Sequence, residues 1–239
     1  MREEPMSFRD RRDAGRRLVP KLTRYRRWPR SVVLGLPRGG VVPAAEIAKA
    51  LDLPLDVVIA RKIGAPGNPE FAIGAVAEDG EPYVNEEGVA QTGATADYLA
   101  AEVARQRAEI ERRRQWFRGG KALVLPENAV VILVDDGIAT GATVIAAIRA
   151  LRQLNVGRLV LAVPVAPPDT TEMLRGLVDE LVVLRTPMLF WAVGAFYDHF
   201  EQVSDEEVQR LLTEAAADGR ALAAPSPAPR EDAHVSGAR

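Results

Sequence analysis

Asp135 and Asp136 end the apolar run Val131-Ile-Leu-Val134, and the stretch Gly137-Ile-Ala-Thr-Gly-Ala-Thr143 follows before a helical pattern begins. Two carboxylates side by side repel each other and are costly to desolvate, so they imply a partner that donates hydrogen bonds or carries positive charge. The segment after them wants the opposite partner. Small residues let the backbone bend tightly, and successive N–H groups leading into a helix N-terminus form a cradle for an anion, with the Thr140 and Thr143 hydroxyls as extra donors. A strand ending in acid also describes the magnesium-binding strand of P-loop NTPases, but GxxxxGK[ST] does not occur in the chain, and neither does GxGxxG. The plain alternative is that the aspartates cap the loop and the glycines only turn it.

Two further segments carry candidate chemistry. Pro37-Arg38-Gly39-Gly40 follows another apolar run; paired glycines let amides approach a ligand closely, and Arg38 offers a bidentate fork to phosphate. The same four residues also suit an ordinary turn. Arg61-Lys62 precede a Gly/Pro/Asn-containing stretch, residues 63 to 80, that reads as a mobile loop able to close over a charged substrate and exclude water. An ordinary surface loop is the alternative there.

The elements needed to hold these loops are legible as alternation. Val32 to Leu36, Leu55 to Ala60, Val130 to Val134, Leu159 to Val163 and Glu180 to Leu184 have the length and continuous apolar character of strands buried on both faces. Helical patterns at Val41 to Leu51, Thr143 to Leu154 and Thr170 to Leu177 lie between most of them, predicting an α/β fold with a mostly parallel sheet flanked by helices. In such sheets ligands bind at the carboxyl ends of the strands, where all three loops fall. Between the second and third of these strands, Phe71 to Glu78 and Pro82 to Val84 read as short strands or a hairpin, and Ala96 to Phe117 as a long polar helix. The arginine-rich end of that helix, ERRRQWFRGG, reads as a solvated face, with a phosphate or partner site as the alternative. Ser204 to Ala216 should form a capped helix, and the Ala/Pro/Ser-rich residues 217 to 239 should be disordered.

Composition bounds the function. The chain has 239 residues, 47% hydrophobic and 27% charged, which suits one α/β domain with an appendage. No apolar run reaches the roughly 18 to 20 residues of a membrane span, and the N-terminus lacks a secretory apolar region. With no cysteine, disulfides, thiolate metal sites and a cysteine nucleophile are excluded, and a cytoplasmic location is the default expectation. A net charge of -2 argues against a general nucleic-acid binder. The first thirty residues are nevertheless basic, with eleven Arg and Lys against four acids. They read as the solvated face of a helix whose apolar side is Phe8, Ala14, Leu18, Val19 and Leu22; contact with RNA or an acidic partner is the alternative.

The pattern hydrophobic-Asp-Asp-x-x-Ala-Thr-Gly-x-Thr over residues 131 to 143 resembles the phosphoribosyl-diphosphate (PRPP) signature of type I phosphoribosyltransferases. PRGG matches the family's pyrophosphate loop, in which an often cis peptide exposes amides, and Arg61-Lys62 resembles the start of its flexible catalytic loop. From about Phe8 to Leu212 the chain also resembles a bacterial and archaeal branch labelled only as predicted phosphoribosyltransferases. The resemblance implies that Ala139 to Thr143 hold the 5′-phosphate while Asp135 and Asp136 accept from the 2′- and 3′-hydroxyls and stabilise oxocarbenium charge. Arg38, Gly39 and Gly40 would hold the pyrophosphate, and Arg61 and Lys62 would offset its charge. Mg²⁺ would bridge pyrophosphate and ribose, touching Asp135 and Asp136 only indirectly.

The acceptor base would lie under a "hood" formed by residues 1 to 30 and an insertion at about 71 to 125, on a domain spanning 31 to 203. TPMLFWAVGAFYDHF, residues 186 to 200, resembles the base-binding segment of hypoxanthine-type enzymes. On that match Trp191 stacks on the base, the backbone at Val193 reads its edge, and Asp198 lies nearby; an aromatic core cluster is the alternative. Two departures argue against a 6-oxopurine acceptor: Ala139 stands where those enzymes carry an acid, and Pro164-Val165 where they carry a lysine. Adenine-type enzymes share the alanine and place a glutamate after the flexible loop, which makes Glu78 a candidate acid/base group. The resemblance therefore implies Mg²⁺-dependent transfer from PRPP to a nitrogenous acceptor, by a homodimer. A non-catalytic sensor of PRPP or nucleotides on the same fold, or a hydrolase using water as acceptor, remain as other readings.

Overall fold

A computed structural model describes residues 7–222. Helix α1 (Arg11–Leu22) and a 3₁₀ turn lead into β1 (Ser31–Gly35), α2 (Val41–Leu51) and β2 (Leu55–Val57). The chain continues through β3 (Ala60–Ala65), β4 (Asn68–Ala77), β5 (Tyr83–Val84), α3 (Glu86–Thr92) and α4 (Ala96–Arg118). It ends with β6 (Val130–Val134), α5 (Ala142–Gln153), β7 (Arg158–Val165), α6 (Pro168–Arg175), β8 (Glu180–Arg185) and α7 (Asp205–Ala217). A parallel sheet has the order β2-β1-β6-β7-β8, and a smaller antiparallel sheet the order β3-β4-β5.

The continuous apolar runs are explained by burial on both faces. Successive residues point to opposite sides of a strand. Val131 and Leu133 accordingly pack with Val144, Ile145, Ile148 and Leu151 of α5, whereas Ile132 and Val134 pack with Leu18 and Leu22 of α1 and Ile47 and Leu51 of α2. Each such side chain contributes about 1.5–3 kcal/mol when fully buried. Every residue of β6 is buried, so neither face of the strand tolerates a polar residue until the chain leaves the sheet at Asp135.

Four features differ from expectation. Helix α1, expected in the hood, covers one face of the parallel sheet through the fully buried Ala14, Leu18 and Leu22 and so packs in the main core. The predicted strand from Leu55 to Ala60 breaks after Val57, because Ala60 already begins the antiparallel sheet. The Gly/Pro/Asn stretch expected to be a mobile loop is part of a hairpin that includes the strand expected at Phe71 to Glu78: β3 pairs with β4 from Ala60↔Ala77 to Ala65↔Asn68, with Gly67 at φ +72° in the turn. Residues 218 to 222, expected to be disordered, lie against β2: Leu55 N–H donates to Arg220 O at 2.9 Å, and Ala221 bridges Leu55. The remaining residues of that expected tail fall outside the described ones. Among the described residues no helix is long and apolar enough to cross a membrane.

Candidate active site

The register of β1 with β6 pairs Gly35 with Val134, so the loops after both strands start side by side. Leu36 N–H donates to Val134 O at 2.9 Å, and the Pro37–Arg38 peptide that follows is cis. The two glycines of this loop are required by proximity. A Cβ on Gly40 would lie 2.6 Å from Val134 O and 2.8 Å from Asp135 Cα, and one on Gly39 would lie 1.9 Å from Asp136 Oδ2. The PRGG loop and the paired aspartates therefore form one wall.

Asp136 N–H donates to Asp135 Oδ1 at 2.9 Å. Burial, then the neighbouring charge of Asp136, pushes the Asp135 carboxyl well above its ordinary range, opposed by that backbone bond and more weakly by Arg11. The side chain of Asp136 is engaged by Arg11, whose Nε lies 2.6 Å from Oδ2. Arg11 also donates to Glu201 O at 2.7 Å and lies 3.7 Å above the Phe200 ring, while the Tyr197 hydroxyl donates to Asp136 O. The aspartates are thus an electrostatically loaded pair held by a guanidinium from α1.

Beyond them the loop turns under its own packing. Gly137 admits the Val193 side chain, which would lie 2.4 Å from an added Cβ, and Ile138 N–H donates to Val165 O at 2.9 Å. Thr170 Oγ1 donates to Ala139 O at 2.8 Å, anchoring the loop to α6. Gly141, at φ +80°, is the N-cap of α5 and has no side chain with which to cap it. The first-turn N–H groups of α5 are uncapped and the preceding Ala139 and Thr140 are exposed, an arrangement able to receive a phosphate-type anion. Carboxylates for hydroxyls on one side and amides for an anion on the other suit a phosphorylated polyol.

A family model described as the phosphoribosyl transferase domain matches residues 9–198. The chain belongs to this family. It is 44% identical over 211 residues, 88% of its length, to proteins of two Mycobacterium tuberculosis strains named "Putative phosphoribosyl transferase", and spans about half (47%) of their length. The crystal structure of TT1426 from Thermus thermophilus is 46% identical, with a TM-score of 0.71, covering 87% of this chain and 99% of that one.

The other candidate residues are placed unevenly. Arg38, half-buried, is 3.9 Å from Asp205 of α7. Arg61, at the start of β3, donates to Gln106 Oε1 of α4 at 3.1 Å, and Lys62 pairs with Glu70 across the hairpin at 2.7 Å. Val193 lies against Gly137, next to the aspartates. Asp198 accepts from Ser7 Oγ at 2.6 Å, and its N–H donates to Phe8 O at 2.8 Å, so it ties the N-terminal segment to the aromatic one. Trp191 stands 88% exposed, while the neighbouring Phe190 and Phe196 stack at 5.2 Å.

Glu78 is not part of this site. Its Oε1 accepts from Ile59 N–H at 3.0 Å and its Oε2 is paired with buried Arg118. It borders Ala150 and Leu151 near the end of α5, about two turns or more (~12 Å at 1.5 Å per residue) beyond the cradle at the start of that helix. Burial raises its carboxyl, opposed by Arg118 and the Ile59 amide. An acid after a hairpin looks the same in sequence whether it faces a ligand or an arginine. Conversely, Arg11 and Tyr197 belong to the site without having been singled out. Arg11 was hidden in a run of arginines that mostly face solvent, and only pairing Phe8 with Tyr197 brings it to Asp136.

Proposed function

We propose that this chain carries a phosphoribosyltransferase site that moves the 5-phosphoribosyl group of PRPP to a nitrogenous acceptor and releases pyrophosphate. The observation that carries the reading is the Asp135-Asp136 pair set between the Gly39-Gly40 wall and the uncapped start of α5. Amides of Ala139 to Thr143 bind the 5′-phosphate. The carboxylates accept from the ribose hydroxyls and stabilise positive charge as the bond from C1′ to pyrophosphate lengthens. PRGG amides and Arg38 take the pyrophosphate, assisted by Arg61 and Lys62.

Mg²⁺ fits the donor chemistry, because carboxylate oxygens are the hard ligands it prefers. Among the described residues no group of three or more His, Cys, Asp or Glu could hold a metal ion, so Asp135 and Asp136 would hold it only indirectly and together with the substrate. It would supply charge neutralisation of the leaving group. Arg11, sharing Asp136, is displaced or re-aimed when ribose hydroxyls arrive. The acceptor site lies between Val193 and the aromatic segment 190–200; the absence of an acid at Ala139 speaks against 6-oxopurines.

The test titrates PRPP with Mg²⁺ and then screens nitrogenous bases for pyrophosphate release. Saturable binding and base-dependent release are expected. No binding at millimolar PRPP would overturn the reading, and binding without release for any acceptor would make the site a sensor.

A further inference from the structure

Arginine is a poor neighbour for arginine, and α4 gathers several. Arg105, Arg112 and Arg113 project from α4 toward Arg61 of β3, around a cavity of about 410 Å³ lined by Arg61, Arg105, Gln106, Ala108, Glu109 and Arg112. Arg38 of the PRGG loop approaches from the other side and shares Asp205 with Arg112, at 3.9 and 3.3 Å respectively. The carboxylates present are already committed. Glu102 holds Arg105 through two bonds of 2.8 and 2.6 Å, and Glu109 holds both Arg112 and Arg113 at 2.8 and 2.9 Å. Glu206 adds a charge at the Arg38 end.

Arg61 is left with the neutral Gln106. Its guanidinium is held below its ordinary value by burial first, then by Arg113, Arg38 and Arg105, with Glu109 opposing. Glu109 offsets only part of this repulsion; a multivalent anion would offset more. A monovalent anion satisfies one fork, whereas a chain of phosphates presents several oxygens to guanidiniums on two elements at once.

We propose that α4 supplies a second tier of guanidiniums, Arg105 and Arg112, which with Arg61 bind a di- or polyphosphate in this cavity. The arginine-rich helix end, whose sequence reads as a solvated face with a phosphate site as the alternative, is thus part of an anion surface that extends back to Arg105. The proposal rests on the phosphoribosyl-transfer reading only for the source of the anion, which is either the pyrophosphate of PRPP or the phosphate chain of a separate nucleotide.

The full chain is titrated calorimetrically, without metal, with pyrophosphate and separately with ribose 5-phosphate, which reports the 139–143 cradle. The Arg105→Gln/Arg112→Gln variant removes side chains that are 68% and 53% exposed, but Arg105 is the cation of buried Glu102, so a melting curve and ribose 5-phosphate binding check that the variant is folded. Pyrophosphate should weaken about a hundredfold, since each of the two lost charge-assisted contacts is worth about tenfold or more, while ribose 5-phosphate is unaffected. Arg210→Gln, on α7, should change neither. Unchanged pyrophosphate affinity in the double variant overturns the proposal, as does absence of pyrophosphate binding in a wild-type chain that binds ribose 5-phosphate. Arginine-dependent pyrophosphate binding without ribose 5-phosphate binding upholds it and removes the phosphoribosyl reading. Prior saturation with PRPP identifies the source: loss of pyrophosphate binding marks the leaving group, and retained binding marks a separate nucleotide.

Discussion

Replacing Gly39 by alanine isolates the contact on which the site wall depends. The added Cβ would lie 1.9 Å from Asp136 Oδ2, 2.6 Å from its Cγ and 3.1 Å from Arg11 Nε. Gly39 is not among the residues with positive φ, so alanine suits the backbone and the whole effect is steric. Relief requires the carboxylate to retreat by about 1 Å, which breaks its 2.6 Å bond to Arg11 and removes it from any ribose hydroxyl. Overpacking of this kind costs about 1–3 kcal/mol, or roughly 2–10 °C of Tm for a chain of this size. Loss of one charge-assisted bond weakens PRPP by about 10- to 100-fold, while inorganic phosphate at the cradle is untouched. The assay is a double-mutant cycle by thermal denaturation with Asp136→Ala, which removes the obstructing atoms. In that background Gly39→Ala should cost almost nothing. An undiminished cost there, or a Gly39→Ala protein with native PRPP affinity, would refute the steric argument.

Asp135→Asn should raise Tm at neutral pH while weakening PRPP. The Asp135 pKa is raised in the folded state, so the penalty for ionising it grows as pH climbs from the unfolded value through the folded one, and the variant's advantage must vanish toward acid pH. A melting series against pH checks the sign, and an Asn variant less stable at pH 8 contradicts it. Asp135→Asn with Asp136→Asn should weaken PRPP far more than inorganic phosphate; equal loss of both would mean the carboxylates only hold the loop. Arg118→Met leaves Glu78 and Asp56 buried without their cation and should cost about 3–5 kcal/mol in urea denaturation, with ribose 5-phosphate affinity intact. Glu78→Gln should leave the turnover number unchanged in the pyrophosphate-release assay; a loss of several orders of magnitude would return it to the catalytic group.

What could be read from the chain divides along a physical line. The parallel sheet was legible because burial on both faces demands uninterrupted apolar runs, and a run that stops at Asp135 marks where the strand meets solvent or ligand. The glycine-bearing loops were legible because residue type alone announces a backbone need: Gly39, Gly40 and Gly137 leave no room for a Cβ, and Gly141 takes a positive φ. Arg11, Glu78 and the α4 arginines were not, since an arginine or glutamate has the same local signature whether it faces water, a counterion or a ligand. Their roles are decided by pairings across long sequence separations, such as Phe8 with Tyr197 or Arg61 with Gln106.

That division also explains the charge pattern around the site. A ligand with an anionic end, a hydroxyl-bearing ring and a second anionic group needs amides, carboxylates and guanidiniums in that order. The carboxylates and guanidiniums here are adjacent and neutralise each other. Arg11 does this for Asp136, and Arg112 for Glu109 and Asp205. On the proposed reading, binding is an exchange of ion-pair partners and not the filling of a preformed hole. The affinity for PRPP should accordingly fall with salt less steeply than its charge implies, because the guanidiniums that meet the ligand are released from carboxylates as well as from counterions.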